Sequence, residues 1–214
     1  MYNLPYFKEE SKETVLEFMQ QHPFVFLTGC GEKNLPIATQ VPVFVDERDG
    51  KLFITGHIMR NTDHHKGFLK NSNVLVVFSG PHCYVSASWY SNPHQASTWN
   101  YMSVHAKGDI QFLDDQALID VLKRLSLKYE NNNSTSPTVF ENLPDKYKFS
   151  MLNAIVAFEI EVSAIDNVFK LSQNRDEKSY QSIIENLKHQ EGDKKLIAEE
   201  MDNPYFNPIT ITED

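Results

Sequence analysis

The sequence predicts a mainly antiparallel β-barrel with helices at its periphery. Three observations carry that expectation: six or more stretches have strand character, turn signals such as Asp49-Gly50 join neighbouring stretches, and strands do not alternate regularly with helices. A doubly wound parallel sheet would need that alternation, because a helix makes each crossover between its strands. An antiparallel barrel needs only turns between most of its strands.

Residues 2–10 read as an extended arm. From Ser11, an N-cap residue type, Val15, Leu16, Phe18 and Met19 recur at helical spacing until His22-Pro23 stops the helix. Residues 24–28 are a short apolar run and 29–34 a turn. Residues 37–46 alternate as a long strand, and Asp49-Gly50 supplies the positive φ angles of a tight hairpin into residues 51–55. Residues 61–70 fit a short helix over a barrel mouth. Residues 74–79 and 84–87 read as two strands parted by Gly80-Pro81. Residues 88–98 hold Pro93 with several Ser and Asn and no periodicity, a loop of the length that more often carries function than spacing. Strand character returns over 99–113, with Gly108 as the signal for a bulge.

In residues 114–129, Leu118, Val121, Leu122, Leu125 and Tyr129 form one apolar stripe, and Asp114 with Asp115 favours the positive end of a helix. After a polar linker at 131–138, residues 144–152 fit a helix and 154–164 an alternating strand. Residues 168–172 extend the sheet after a turn at Asp166-Asn167. Two helical segments run from beyond Asp176 to about Met201, and a Pro-containing tail follows. The division expected is a barrel domain over 1–175, with the arm and first helix, and a helical extension with tail over 176–214.

Composition places the chain among ordinary globular proteins, since 41% of its residues are hydrophobic and 23% charged. No apolar run approaches the roughly 18 residues that cross a bilayer. Lys8, Glu9 and Glu10 interrupt the place of a secretory signal, so a cytoplasmic location is expected. Cys30 and Cys83 lie far apart without a C-x-x-C companion, which suits reduced thiols. A net charge of −9 repels a polyanion and argues against direct contact with nucleic acid.

The G-x-G-x-x-G, P-loop, nucleophile-elbow and H-E-x-x-H motifs are absent. What stands out instead is a dense polar and aromatic band from Thr55 to His105. Its first part, residues 55–66, runs from a strand end into a helix start, where Arg60, Lys66 and free N–H groups suit a phosphate. His64-His65 makes a poor metal pair, because adjacent side chains point to different faces of a helix, and no metal is expected. Further on, both tryptophans and three tyrosines fall within eighteen residues, interleaved with Ser, Thr, Asn and His. Aromatic faces with amide and hydroxyl partners suit a flat heteroaromatic ligand.

Gly80-Pro81-His82, Ser88-Trp89-Tyr90, Thr98-Trp99-Asn100-Tyr101 with Val104-His105, and Lys170-Leu171-Ser172-Gln173-Asn174-Arg175, in that order and spacing, resemble the PaiB family. The resemblance runs from near Pro5 to about Leu187. It implies a split β-barrel of the FMN-binding type, related to pyridoxamine-phosphate oxidases, and a homodimer with FMN at the subunit interface. By similarity, the strand around Thr39 and Gln40 lies along the isoalloxazine ring, and Thr55 and Gly56 flank the ribityl chain, with His57 next on the strand. Arg60 and Asn61 stand where the wider superfamily keeps a phosphate-holding basic pair. Thr62 and His65 take places where the family stretch has Asn and Trp. Trp99, Asn100 and His105 match motif positions and are pocket candidates, while Gln173 and Arg175 reach either the flavin or the partner subunit.

The family is commonly described as one of negative transcriptional regulators, so the first expectation is an FMN-binding protein with an indirect role in transcription. The acidic balance and the lack of a basic recognition helix oppose direct DNA contact. The alternative is an FMN-dependent oxidoreductase acting on a small molecule, in which the flavin carries the electron chemistry. No acid–base pair stands out, so no catalytic residue is named. A third reading places haem in the same barrel, with His57 or His105 as axial ligand.

Overall fold

The structure, a computed structural model, describes residues 1–203. A single 3-10 turn at Pro5–Phe7 precedes helix α1 (Lys12–Gln21). Strands β1 (Phe24–Cys30), β2 (Pro36–Arg48) and β3 (Lys51–Met59) follow, then α2 (Asp63–Lys70), β4 (Asn73–Val85) and β5 (Thr98–Phe112). Helices α3 (Asp115–Tyr129) and α4 (Asp145–Ala154) lead into β6 (Ile155–Lys170), and α5 (Glu177–Lys188) and α6 (Asp193–Met201) complete the order. The six strands close a barrel in the order β1-β2-β3-β6-β5-β4. Antiparallel registers join β1 to β2 and to β4, β2 to β3, and β3 to β6. The Pro-containing tail expected from the sequence lies outside the described residues.

The chain divides into two compact units. One comprises residues 19–78 and 105–165, and the other residues 1–18, 79–104 and the stretch from 166 onward. The first unit shows why the strands form. In β3, Leu52, Ile54, Gly56 and Ile58 are buried while 51, 53, 55, 57 and 59 are not, the two-residue period of a half-buried strand. Val25, Leu27, Ile54, Val76, Phe78, Phe158 and Ile160 are fully buried in the core. The hairpin at Asp49-Gly50 has both residues at positive φ, +51° and +75°, as a tight turn of this kind requires. Gly108 marks a close approach: a Cβ there would lie 2.2 Å from the carbonyl oxygen of Glu161. Outside the sheet, Leu118 and Leu122 of α3 bury with Phe140 and Ala157. Arg124 stacks 3.9 Å from the Phe44 ring centroid and grips both oxygens of Asp46, at 2.5 and 2.7 Å. That guanidinium holds the Asp46 carboxyl below the usual range.

In the second unit, α5 and α6 bury Tyr180, Ile183, Ile184, Leu187, Ile197 and Met201. The Tyr180 hydroxyl donates to the Met201 carbonyl at 2.8 Å. The N-terminal arm is pinned to β6: Glu9 N–H donates to Asn167 Oδ1, and Asn167 Nδ2 donates back to the Glu9 carbonyl, both at 2.9 Å.

Two expected breaks are not breaks. Asp166-Asn167 lies inside β6, because the Asn167 side chain is spent on the arm rather than on closing a turn. Gly80-Pro81 lies inside β4, where the buried positions change from 74, 76 and 78 to 81, 83 and 85. The pair therefore shifts the phase of the strand without ending it.

Candidate functional site

The sequence-predicted residues fall into two sets, one in each unit. In the barrel unit, the period of two decides which of them share a face. Gln40 pairs with Phe26 of β1, and Thr55 with Phe44 of β2, and both face outward. His57 stands two residues beyond Thr55 on the same outer face. Thr39 and Gly56 are immediate neighbours of Gln40 and Thr55, and so face inward. The space a Cβ would take at Gly56 is filled by Phe158, 2.8 Å away, and by the Pro42 carbonyl at 3.0 Å, so that glycine serves barrel packing.

The outer row carries polar groups that the protein leaves unused. The side chains of Gln40 and Thr55 make no hydrogen bond among the described residues. The Nδ1 atom of His57 is buried without a partner, and burial pushes the pKa of that imidazole below its usual value. A buried polar atom without a partner costs about 1–3 kcal/mol.

The turn after β3 is more heavily committed. Arg60 Nε donates to the Ile155 carbonyl at 2.8 Å, and an Nη lies 3.4 Å from Asp115. Asn61 is held at φ +65°, its N–H donating to His65 Nδ1 at 3.1 Å. Thr62 caps α2 by accepting from the His65 N–H, and the N–H groups of His64 and Lys66 go to Asp63 and to the Thr62 carbonyl. The N–H groups of residues 64–66 at this helix start are therefore taken by the protein. What remains for an anion is side-chain charge from Lys66 and the open edge of Arg60, with the Asn61 amide beside them.

In the other unit, Trp99 Nε1 donates to His82 Nδ1 at 3.2 Å. Asn100 is fully buried, accepting from Ser172 Oγ at 3.0 Å and donating towards Met201 Sδ at 3.5 Å. Gln173 accepts from the Leu171 N–H at 2.8 Å and donates to the Phe169 carbonyl at 2.5 Å. These bonds make Asn100 and Gln173 braces of the 170–175 turn. Arg175 is carried by that turn and stacks over Tyr90, 4.3 Å from its ring centroid. Its Nε and the Tyr90 hydroxyl are buried and make no hydrogen bond of good geometry. Spacing alone does not single out Tyr90; the motif Ser88-Trp89-Tyr90 was the available signal. His105, which opens the barrel unit's share of β5, is half-buried and engaged with its surroundings.

The profile of a family described as "Putative FMN-binding domain" matches residues 1–164. The chain belongs to this family of FMN-binding split-barrel proteins, and FMN is its cofactor. Within the family it is of the PaiB type, being 36% identical over 204 residues to the protease synthase and sporulation protein PAI 2 of Bacillus subtilis, across 95% of this chain and 97% of that one. Two solved structures share the fold. One is the flavocytochrome Anf3 of Azotobacter vinelandii, with a TM-score of 0.56, 16% identity, and coverage of 85% of this chain and 78% of that one. The other is an FAD and haem binding protein of Mycobacterium smegmatis, with a TM-score of 0.51, 15% identity, and coverage of 76% and 72%. No helix among the described residues is long and apolar enough to cross a membrane.

The outer row fits that cofactor. An isoalloxazine edge alternates carbonyl and N–H groups along a flat apolar ring. The orphaned Nδ1 of His57 and the unused amide of Gln40 and hydroxyl of Thr55 are what such an edge pairs with.

Proposed function

We propose that this protein holds FMN along the outward face of β2 and β3, works as a homodimer, and influences transcription through its flavin without touching DNA. The observation that carries the reading is the orphaned Nδ1 of His57 beside the unused side chain of Thr55 on the outer face of β3, with the unused side chain of Gln40 on the outer face of β2. When bound, FMN supplies one- and two-electron chemistry. The chain's share is placement. His57 offers a neutral imidazole, Gln40 an amide and Thr55 a hydroxyl to the ring edge, while Arg60, Asn61 and Lys66 meet the phosphate.

The dimer is supported by the aromatic side chains that β1 leaves outside, Phe24 at 61% and Phe26 at 44% exposure. The regulatory part is supported by the name of the Bacillus subtilis relative, which ties that protein to protease synthesis and sporulation. Its indirect character is supported by the charge of −9. The test is an absorbance spectrum of the purified protein with the released cofactor identified by mass, followed by gel-shift titration against genomic fragments. A flavin spectrum, FMN by mass and no saturable binding to DNA are expected. A Soret band without flavin, or salt-sensitive saturable DNA binding, would overturn the reading.

A further inference from the structure

The unit that contains residues 79–104 and the stretch from 166 holds two cations without an acidic partner. Lys170 is half-buried. Its Nζ donates to Thr98 Oγ1 and to the Trp99 carbonyl at 3.0 Å, and lies 5.8 and 5.9 Å from the ring centroids of Tyr2 and Phe7. Arg175 lies over the Tyr90 ring, and one of its Nη atoms donates to Gln95 Oε1. Neither has a carboxylate within ion-pair distance among the described residues. The acid next in sequence, Asp176, is already committed: its oxygens accept from the Ser179 N–H at 3.0 Å, from Ser179 Oγ at 2.6 Å and from Ser91 Oγ at 3.0 Å. The Arg175 charge adds to burial in lowering the pKa of Lys170, so the two cations share one neighbourhood.

At the same place two buried polar atoms make no hydrogen bond of good geometry. One is the hydroxyl of Tyr90, whose side chain is only 5% exposed and which has the Arg175 guanidinium beside it, and the other is Arg175 Nε. The guanidinium nitrogen can only donate, and the phenol can also donate. The partner missing from both is an acceptor, and the unneutralised charge beside them selects a negatively charged one. The arginine is also held in place in advance. Ser172 sits at φ +64°, the Arg175 N–H donates to its carbonyl at 3.0 Å, and the buried side chains of Gln173 and Asn100 brace the turn.

We propose that Tyr90 and Arg175, flanked by Lys170, bind the oxyanion of a small molecule, a phosphate monoester or a carboxylate. Two molecules present such a group: a separate anionic reactant, and FMN through its phosphate, the latter in place of the grip by Arg60, Asn61 and Lys66 proposed above. The proposal goes beyond the placement of the flavin ring on β2 and β3 and does not depend on it.

The experiment titrates the full chain, flavin-free and flavin-loaded, with inorganic phosphate and with acetate, following the melting temperature and the binding heat. FMN and riboflavin affinities are measured in parallel for the wild type, Tyr90→Phe, Arg175→Met and Lys170→Met. Tyr90→Phe removes one oxygen and keeps the ring that Arg175 stacks on. It is expected to weaken oxyanion binding about fivefold, as loss of one hydrogen bond does, while melting no lower than the wild type without ligand. Arg175→Met is expected to abolish the response. If Arg175→Met lowers FMN affinity and spares riboflavin, the oxyanion is the cofactor's phosphate. If both flavins bind unchanged while the response to phosphate or acetate is lost, the oxyanion belongs to a separate ligand. If no variant changes either the anion response or the preference for FMN over riboflavin, the proposal is overturned.

Discussion

The Nδ1 atom of His65 accepts the backbone N–H of Asn61 at 3.1 Å, and so fixes the left-handed residue between β3 and α2. Only a neutral imidazole has a lone pair to accept with. The ring packs edge-on against Phe112, with centroids 4.9 Å apart, and burial with the charges of Arg60, His64 and Lys66 lowers its pKa below 6.5. As the pH falls, the unfolded chain therefore takes up this proton first. The stabilisation is complete above about pH 6.5 and is lost as the pH drops from there through the folded value. His22 and His57 are shifted in the same direction. The melting temperature is expected to fall between pH 7 and pH 5. His65→Gln, whose amide oxygen can accept the same bond without titrating, is expected to fall less steeply in differential scanning fluorimetry. Equal slopes would remove His65 from the account.

Gly108 and Gly50 make a matched pair of glycines with opposite reasons for being glycine. At Gly108 an added Cβ meets a backbone carbonyl at 2.2 Å, which no rotamer change relieves. At Gly50 nothing lies within 4 Å, but φ is +75°. Gly108→Ala is expected to cost about 3 kcal/mol, the upper end of overpacking. Gly50→Ala is expected to cost about 1 kcal/mol, the strain of a left-handed residue. Urea unfolding curves measure both, and the order of the two costs is the decisive quantity.

How far the sequence could be read depended on whether the controlling contact was local. The hairpin at Asp49-Gly50 and the start of α3 were legible, because each is set by residues a few positions apart; Asp114 indeed accepts from the Ala117 N–H at 2.9 Å. Asp166-Asn167 was not, because its usual turn chemistry is overridden by Glu9, distant in sequence. The barrel order, which places β6 between β3 and β5, is likewise a long-range fact. In the site, the band of candidates was visible, but its division was not. Neighbours such as Thr39 and Gln40, or Thr55 and Gly56, must face opposite sides of a strand, and that period was available before any coordinates. The capture of the α2 N–H groups by Thr62 and Asp63 required the structure.

His57 offers the most direct probe of the proposed flavin face. Its Nδ1 costs the unliganded protein the penalty of an unpaired buried atom, about 1–3 kcal/mol, which a bound ring edge would relieve. His57→Leu is therefore expected to leave the flavin-free protein as stable as the wild type or more so. It is also expected to weaken FMN about tenfold, the equivalent of about 1.4 kcal/mol. Quenching of flavin fluorescence gives the affinity and thermal melts give the stability. A variant that binds FMN as tightly as the wild type would move the ring off this face.

The exposed aromatics of β1 test the dimer. Phe24 and Phe26 alternate with Val25 and Leu27, which are fully buried, so the strand is apolar on both faces although only one face meets the core. Phe26 stands between Gln40 of β2 and Val77 of β4, and Phe24 pairs with Pro42, so Phe24, Pro42, Phe26 and Val77 form an outward apolar patch bordered by Gln40. A sheet face of this kind is ordinarily covered. The second copy of the chain proposed above would cover it and bring the patch beside Gln40 into a protected site. Phe26→Glu places a charge in the middle of the patch, where an apolar interface cannot hydrate it. The inner face of the strand is untouched. Sedimentation velocity at micromolar concentration is expected to give a dimer for the wild type and mostly monomer for Phe26→Glu, with FMN affinity falling alongside. A wild type that sediments as a monomer with FMN bound would show that the cofactor site is complete in one chain.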